Sequence, residues 1–240
     1  MNSTRRTAVI AGVLYFVTHV TSIGALALYG PVLDNSGYVI GSGTDTRVLL
    51  GAFLEVILAL AIVGTAVTLF PVVRRQNEGV ALGYVGLRTL EAAVITVGIV
   101  SLLAIVTLRQ HVAGDPGTDT AGLITFGRGM VAVHDWTFLL GPNFVLGTNT
   151  VLMAYLMYRS GLVPRFIGVL GLVGGPLIFA SATAELFGLY EQVSVWGAVT
   201  AIPVFAWEIC LATYLVVKGF RPAAVAGLHI SGVAADPVAA

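Results

Sequence analysis

Residues 82–106 read LGYVGLRTLEAAVITVGIVSLLAIV, a stretch apolar and long enough to cross a bilayer that nevertheless carries Arg88 and Glu91 inside it. A transmembrane helix needs about 20 apolar residues, and an arginine near its centre costs about 2.5–3.5 kcal/mol on insertion scales. Something must offset that cost. Three residues apart, Arg88 and Glu91 share a helix face and can pair, provided the face looks into protein or water. This helix is therefore expected at the centre of the molecule.

The composition agrees with a membrane protein. The chain is 57% hydrophobic and 10% charged, with a mean hydropathy of +0.94, whereas a soluble domain is about 25% charged. The formal net charge is zero and the charges are scattered, which argues against nucleic acid as a partner. The one cysteine, Cys210, lies in an apolar run and reads as a small hydrophobe. All basic residues but Lys218 are arginine and the chain is rich in Ala, Val and Gly, a bias suggesting a bacterial source. The N-terminal run after Arg5 and Arg6 is too long for the apolar core of a secretory signal, so it is expected to be a retained helix.

Six apolar segments follow one another near 7–29, 48–70, 80–108, 130–158, 166–188 and 195–217. Arg5, Arg6, Arg74, Arg75, Arg159, Arg165, Lys218 and Arg221 fall on one side of them. Asp34, Asp45, Asp115, Asp119 and Glu191 fall on the other, with Arg47, Arg109 and Arg128 as basic exceptions. The basic side marks the cytoplasm. The expected fold is all-α: a polytopic six-helix transmembrane bundle over residues 1–218, N-in and C-in, in a bacterial plasma membrane. Residues 219–240 are expected to be a cytoplasmic tail without regular structure.

The stretch Tyr158-Arg-Ser-Gly-Leu-Val-Pro-Arg165, with the opening Arg6 to Tyr15, the pattern Leu87-Arg-Thr-Leu-Glu91 and the closing Glu208 to Gly219, resembles the DUF4386 family. These are bacterial six-helix membrane proteins of unknown function, and the resemblance runs from Arg6 to about Pro222. It implies the same topology and assigns no reaction, cofactor or catalytic residue.

The candidate site residues are the polar ones within spans. Glu208, in the sixth segment, lies at a depth Arg88 can reach. Glu55 in the second shares a face with Gly51, Ala59 and Ile62. In the fourth, Asp135, Pro142 and Asn149 recur every seven residues, as do His134, Gly141 and Thr148, so a polar stripe is expected to face the bundle interior. Pro142 should break or bend that helix, either beside a water-lined cavity or in a kink sealed by Asn143 and threonine hydroxyls. His19 and His134 lie at similar depths, which makes a two-histidine haem or metal site conceivable. No C-x-x-C-H or H-E-x-x-H motif accompanies them, so neither metal nor cofactor is expected. Gly171 and Gly175 form a small-residue face suited to close helix packing. Glu185 is expected to reach water near the end of the fifth segment.

No phosphate loop or serine-nucleophile motif is present, and no catalytic residue is assigned. Three functions fit the pattern: a small carrier or permease-like protein with a polar intramembrane site for a small polar molecule or protons, a non-transporting accessory, sensor or assembly protein, and, last, an intramembrane enzyme or haem/redox protein using His134 or Asp135.

Overall fold

A computed structural model describes residues 3–41, 44–112, 119–192 and 194–234. The chain runs α1 (Ser3–Leu33), a short 3-10 turn (Tyr38–Ile40), α2 (Thr46–Val73), α3 (Glu78–Val112), α4 (Thr120–Leu139), α5 (Leu146–Ser160), α6 (Arg165–Leu186), α7 (Val195–Val217) and α8 (Pro222–Ala234). A π-helical turn, Leu140–Val145, joins α4 to α5 without a break. Among the described residues, six helices are long and apolar enough to span a membrane, the fourth being Thr120–Ser160. All-helical structure follows from the solvent, because a backbone in hydrocarbon must satisfy its hydrogen bonds internally. The outward faces are correspondingly apolar, with Val20, Leu60, Val100, Phe166 and Ile202 all exposed.

The helix ends carry local signals. Asp119 accepts from Gly122 N at 3.1 Å and Ser194 from Gly197 N at 3.2 Å, each satisfying a free amide of a first turn. Gly161, at φ 66°, ends α5 in the left-handed region. The following turn is held by Arg221 N donating to Leu162 O at 2.9 Å. Thus the Tyr158–Arg165 segment is a helix stop, a tight loop and a restart.

The spans close a ring, since α1 packs on α2, α2 on α3, α3 on α5, α5 on α6, α6 on α7 and α7 on α1. The join between first and last is stapled by Arg5, whose Nη1 donates to Leu215 O at 2.9 Å and whose Nη2 donates to Val216 O at 2.6 Å. Those carbonyls end α7 and have no partner further along the helix. Both termini of the spanning bundle therefore lie on one face, with Arg74, Arg159 and Arg165 at the ends of their helices on the same side.

Close approach within the ring depends on glycine. A Cβ on Gly147 would stand 2.8 Å from Gly175 O, and one on Gly175 would stand 2.7 Å from Gly147 O. A Cβ on Gly171 would meet Ala154 Cβ at 2.6 Å and Trp207 at 2.7 Å. The small-residue face of the fifth span is thus a packing surface.

Three expectations need correction. Pro222–Ala234 form a helix where no regular structure was expected, with Phe220 and Leu228 buried against the main core; the tertiary contact supplies what a weakly periodic sequence does not advertise. Residues 235–240, like Asp115, lie outside the described residues. Glu185 is half-buried, with Oε1 accepting from Ser181 Oγ at 3.0 Å and Oε2 shielded from solvent. Asp135 does not face the interior: its side chain is 58% exposed, and Thr148 is exposed as well.

The π turn is the reason that Asp135 and Asn149 do not share a face. One buried track along the fourth span runs through Gly127, His134 and Gly141, seven apart, and then Asn149, eight further on. A π turn holds one residue more than an α turn, so the interior track steps from 141 to 149 instead of 148. Pro142 is the local cause. It has no amide to donate to Phe138 O, and Asn143 Nδ2 donates to that oxygen instead at 3.4 Å.

Candidate functional site

Arg88 and Glu91, one turn apart on α3, are both buried. Arg88 Nη1 reaches Glu91 Oε2 at 3.1 Å, Nη2 reaches Glu208 Oε1 on α7 at 3.2 Å, and Nε donates to Tyr84 Oη at 3.2 Å. The guanidinium also stands over the Tyr15 ring, 5.3 Å from its centroid. Tyr15 and Tyr84 join hydroxyls at 3.0 Å. Asn149 Nδ2 donates to Glu91 Oε2 at 2.7 Å. One arginine therefore ties α3 to α1 and α7, and one asparagine ties α3 to α5.

His19, on α1, completes the cluster. Its Nδ1 faces the Tyr15 carbonyl at 2.8 Å, an oxygen that only accepts, so Nδ1 carries the proton. Its Nε2 lies 3.4 Å from Glu208 Oε2.

Beside this cluster is a cavity of about 150 Å³, with Arg88, Glu91, Glu208 and His19 in its wall. Glu55 and His134 line the same cavity. Glu55 Oε2 accepts from Tyr29 Oη at 2.8 Å, and the Tyr29 ring meets the His134 ring edge-on at 5.6 Å. Close passage of α1 past α2 makes the first contact possible, since a Cβ on Gly51 would stand 2.8 Å from the Tyr29 ring.

The structure thus gathers Arg88, Glu91, Glu208 and Asn149 into one network and sets Glu55 and His134 along the adjoining cavity. Asp135 turns outward. His19 as the partner of Glu208, and the tyrosines Tyr15, Tyr29 and Tyr84, were not singled out by the sequence reading. Spacing carries part of the signal, because Tyr84 and Arg88 are i and i+4, as are Tyr15 and His19. Among the described residues no group of three His, Cys, Asp or Glu side chains gathers as a metal site, and the cavity is too small for a haem.

These features define a six-span α-helical membrane protein with an ion-paired polar interior. The sequence profile of DUF4386, a domain of unknown function, matches residues 10–219, and the chain belongs to that family. No curated protein and no solved structure matches it.

Proposed function

We propose that the protein is a small carrier or permease-like membrane protein whose interior site handles protons or a small polar molecule. The observation that supports this most is the cavity: Arg88, Glu91, Glu208, His19, Glu55 and His134 border open space inside the ring. Ionisable groups within a membrane span are expensive to keep there and typically mark ion or proton routes. Its orientation follows from charge. The face bearing Arg5, Arg74, Arg75, Arg159, Arg165 and Lys218 suits the cytoplasmic side of a bacterial plasma membrane, with both termini inside.

Purified protein in liposomes loaded with a pH-sensitive dye tests the proposal. An imposed proton or potential gradient should drive a dye response in wild-type vesicles that falls at least tenfold in Glu91→Gln and Glu208→Gln. A response equal to that of protein-free vesicles rejects the proton-carrying form of the reading.

A second reading has its own support. Tyr84, Glu91 and Glu208 engage all three nitrogens of Arg88, as expected if the charges only fix packing in an accessory, sensor or assembly protein. In that case the charge variants fail in folding or partner retention, with no flux to lose.

A further inference from the structure

We infer that the cavity is a binding site for a small primary ammonium compound with an apolar body, seated with its charge against Glu55. This rests on reading the cavity as a ligand site and adds the chemical class of the ligand.

Donors and acceptors are unevenly distributed in the cavity wall. Thr18 Oγ1 donates to Tyr15 O at 2.8 Å, Ser22 Oγ to His19 O at 3.2 Å and Thr137 Oγ1 to His134 O at 2.7 Å. Each hydroxyl has given its proton to its own helix, leaving lone pairs for the cavity its residue lines. Tyr29 spends its hydroxyl proton on Glu55. Arg88, the strongest donor in the wall, already gives one bond from each nitrogen and shares its charge with Glu91 and Glu208. His134 is only 5% exposed; its Nδ1 faces Asp135 Oδ1 at 3.4 Å, and its Nε2 has no partner among the described residues. Glu55 Oε1 likewise has no protein partner among them, and Glu55 lines the cavity. The polar wall is thus rich in acceptors, with Glu55 among them.

A ligand that satisfies such a wall is rich in donors and positively charged. A carboxylate or phosphate would meet lone pairs and Glu55, beside an arginine whose charge Glu91 and Glu208 already balance. The remainder of the wall, Leu26, Leu58, Ile62, Ile95, Phe138 and Leu146, is apolar. A cavity of about 150 Å³ matches the size that holds a single benzene ring in an engineered apolar cavity. The body is accordingly no larger than one ring or a short alkyl chain.

The test uses the full chain in lipid nanodiscs at pH 7.5 and three compounds of one shape: benzylammonium, benzyl alcohol and benzoate. Calorimetric titration, with empty discs subtracted, should show benzylammonium binding at least tenfold tighter than the other two. Glu55→Gln should weaken it at least tenfold and Glu55→Asp much less. Benzoate or benzyl alcohol binding as tightly, no binding by benzylammonium, or unchanged affinity in a folded Glu55→Gln protein overturns the inference. The three-compound comparison on wild-type protein decides the matter even where Glu55→Gln fails to fold. Benzylammonium binding in a protein that moves no protons leaves this inference standing and removes proton carriage from the proposed function; proton flux without amine binding does the reverse.

Discussion

Asn149 Nδ2 lies 2.7 Å from Glu91 Oε2, a buried hydrogen bond between residues 58 positions apart that fastens the inner half of the fourth span to α3. Hydrogen bonds to charged groups contribute about 1.5–3 kcal/mol. Asn149→Leu, close in shape and without the donor, should lower stability by about that amount. Asn149→Asp should lose more at neutral pH, because it sets a second carboxylate beside Glu91. Thermal unfolding in detergent, read by circular dichroism, checks both; an Asn149→Leu protein as stable as wild type would show the bond to be idle.

Arg88 makes a larger prediction. Removing one partner of a buried ion pair costs about 3–5 kcal/mol, since the other charge is left without compensation, whereas replacing all partners with neutral groups of similar volume is often near neutral. Arg88→Met strands two carboxylates, Glu91 and Glu208. The single variant should be severely destabilised, and Arg88→Met/Glu91→Gln/Glu208→Gln should recover most of the loss. A triple variant as unstable as the single one would mean that the guanidinium's packing on Tyr15, not its charge, holds the bundle.

Gly147 and Gly175 each stand where a Cβ would press on the other's carbonyl oxygen. Backbone cannot yield as a flexible side chain does. Gly147→Ala or Gly175→Ala should therefore cost about 1–3 kcal/mol, the usual range for overpacking. Gly86→Ala, where a Cβ would meet nothing within 4 Å, is the control and should melt within a degree or two of wild type.

How far the sequence discloses this arrangement depends on the physics behind each feature. Six spans are legible because lipid leaves a backbone few options, and the Arg88–Glu91 pair because three residues make most of a helical turn. Glu208 is legible from depth alone. The contact of His19 with Glu208 is not, since it depends on the rotation of α1 against α7, which hydropathy does not encode; with mostly apolar spans, no polar face announces the angle. Asp135 and Asn149 cannot be separated from the sequence pattern either, because seven-residue spacing assumes an unbroken α-helix. Pro142 hints at the break without revealing that a residue is added. The last helix escapes because its order comes from burying Phe220 and Leu228 on the main core.

On the face away from the termini, Asp45 gathers Tyr38 Oη at 2.7 Å, Gln110 Nε2 at 3.0 Å and Arg109 Nη1. Arg109 also stands over the Tyr38 ring at 4.3 Å and donates to Gly41 O at 3.2 Å. This latch holds the α1–α2 connection onto the end of α3. Burial raises the Asp45 pKa, but bonds from Tyr38 and Gln110 and the charge of Arg109 outweigh it and hold the carboxyl below its usual value. A depressed carboxyl stabilises the fold above its unfolded pKa, and that contribution is lost as pH falls through the folded value. Tyr38 is pushed up to about 12, by burial first and then by its bond to Asp45, so its contribution is complete below pH 10 and lost as pH rises toward 12. Wild-type stability should fall below about pH 4 and again above pH 10. Asp45→Asn should flatten the acid limb; an acid limb unchanged in that variant would place its origin elsewhere.

The π turn yields the sharpest test of how the fourth span is built. A π turn amounts to one residue inserted into an α-helix, so deleting one residue from Leu140–Val145 restores the α-helical residue count and keeps the flanking faces in register, with the bond that Pro142 cannot make still missing. Deleting Val145 should keep His134 and Asn149 facing inward and cost no more than an ordinary substitution, up to about 3 kcal/mol. Deleting Leu152 instead rotates one side of α5 by about 100° per residue removed. Either Met153, Ala154, Leu156 and Met157, all fully buried, leave the core, or the π turn tightens and the stretch before them turns, taking Asn149 off Glu91 and Gly147 off Gly175. The Leu152 deletion should abolish cooperative unfolding while the Val145 deletion retains it. Equal damage from the two would mean that the π geometry is itself required, for which the bond from Asn143 to Phe138 O is the contact to mutate next.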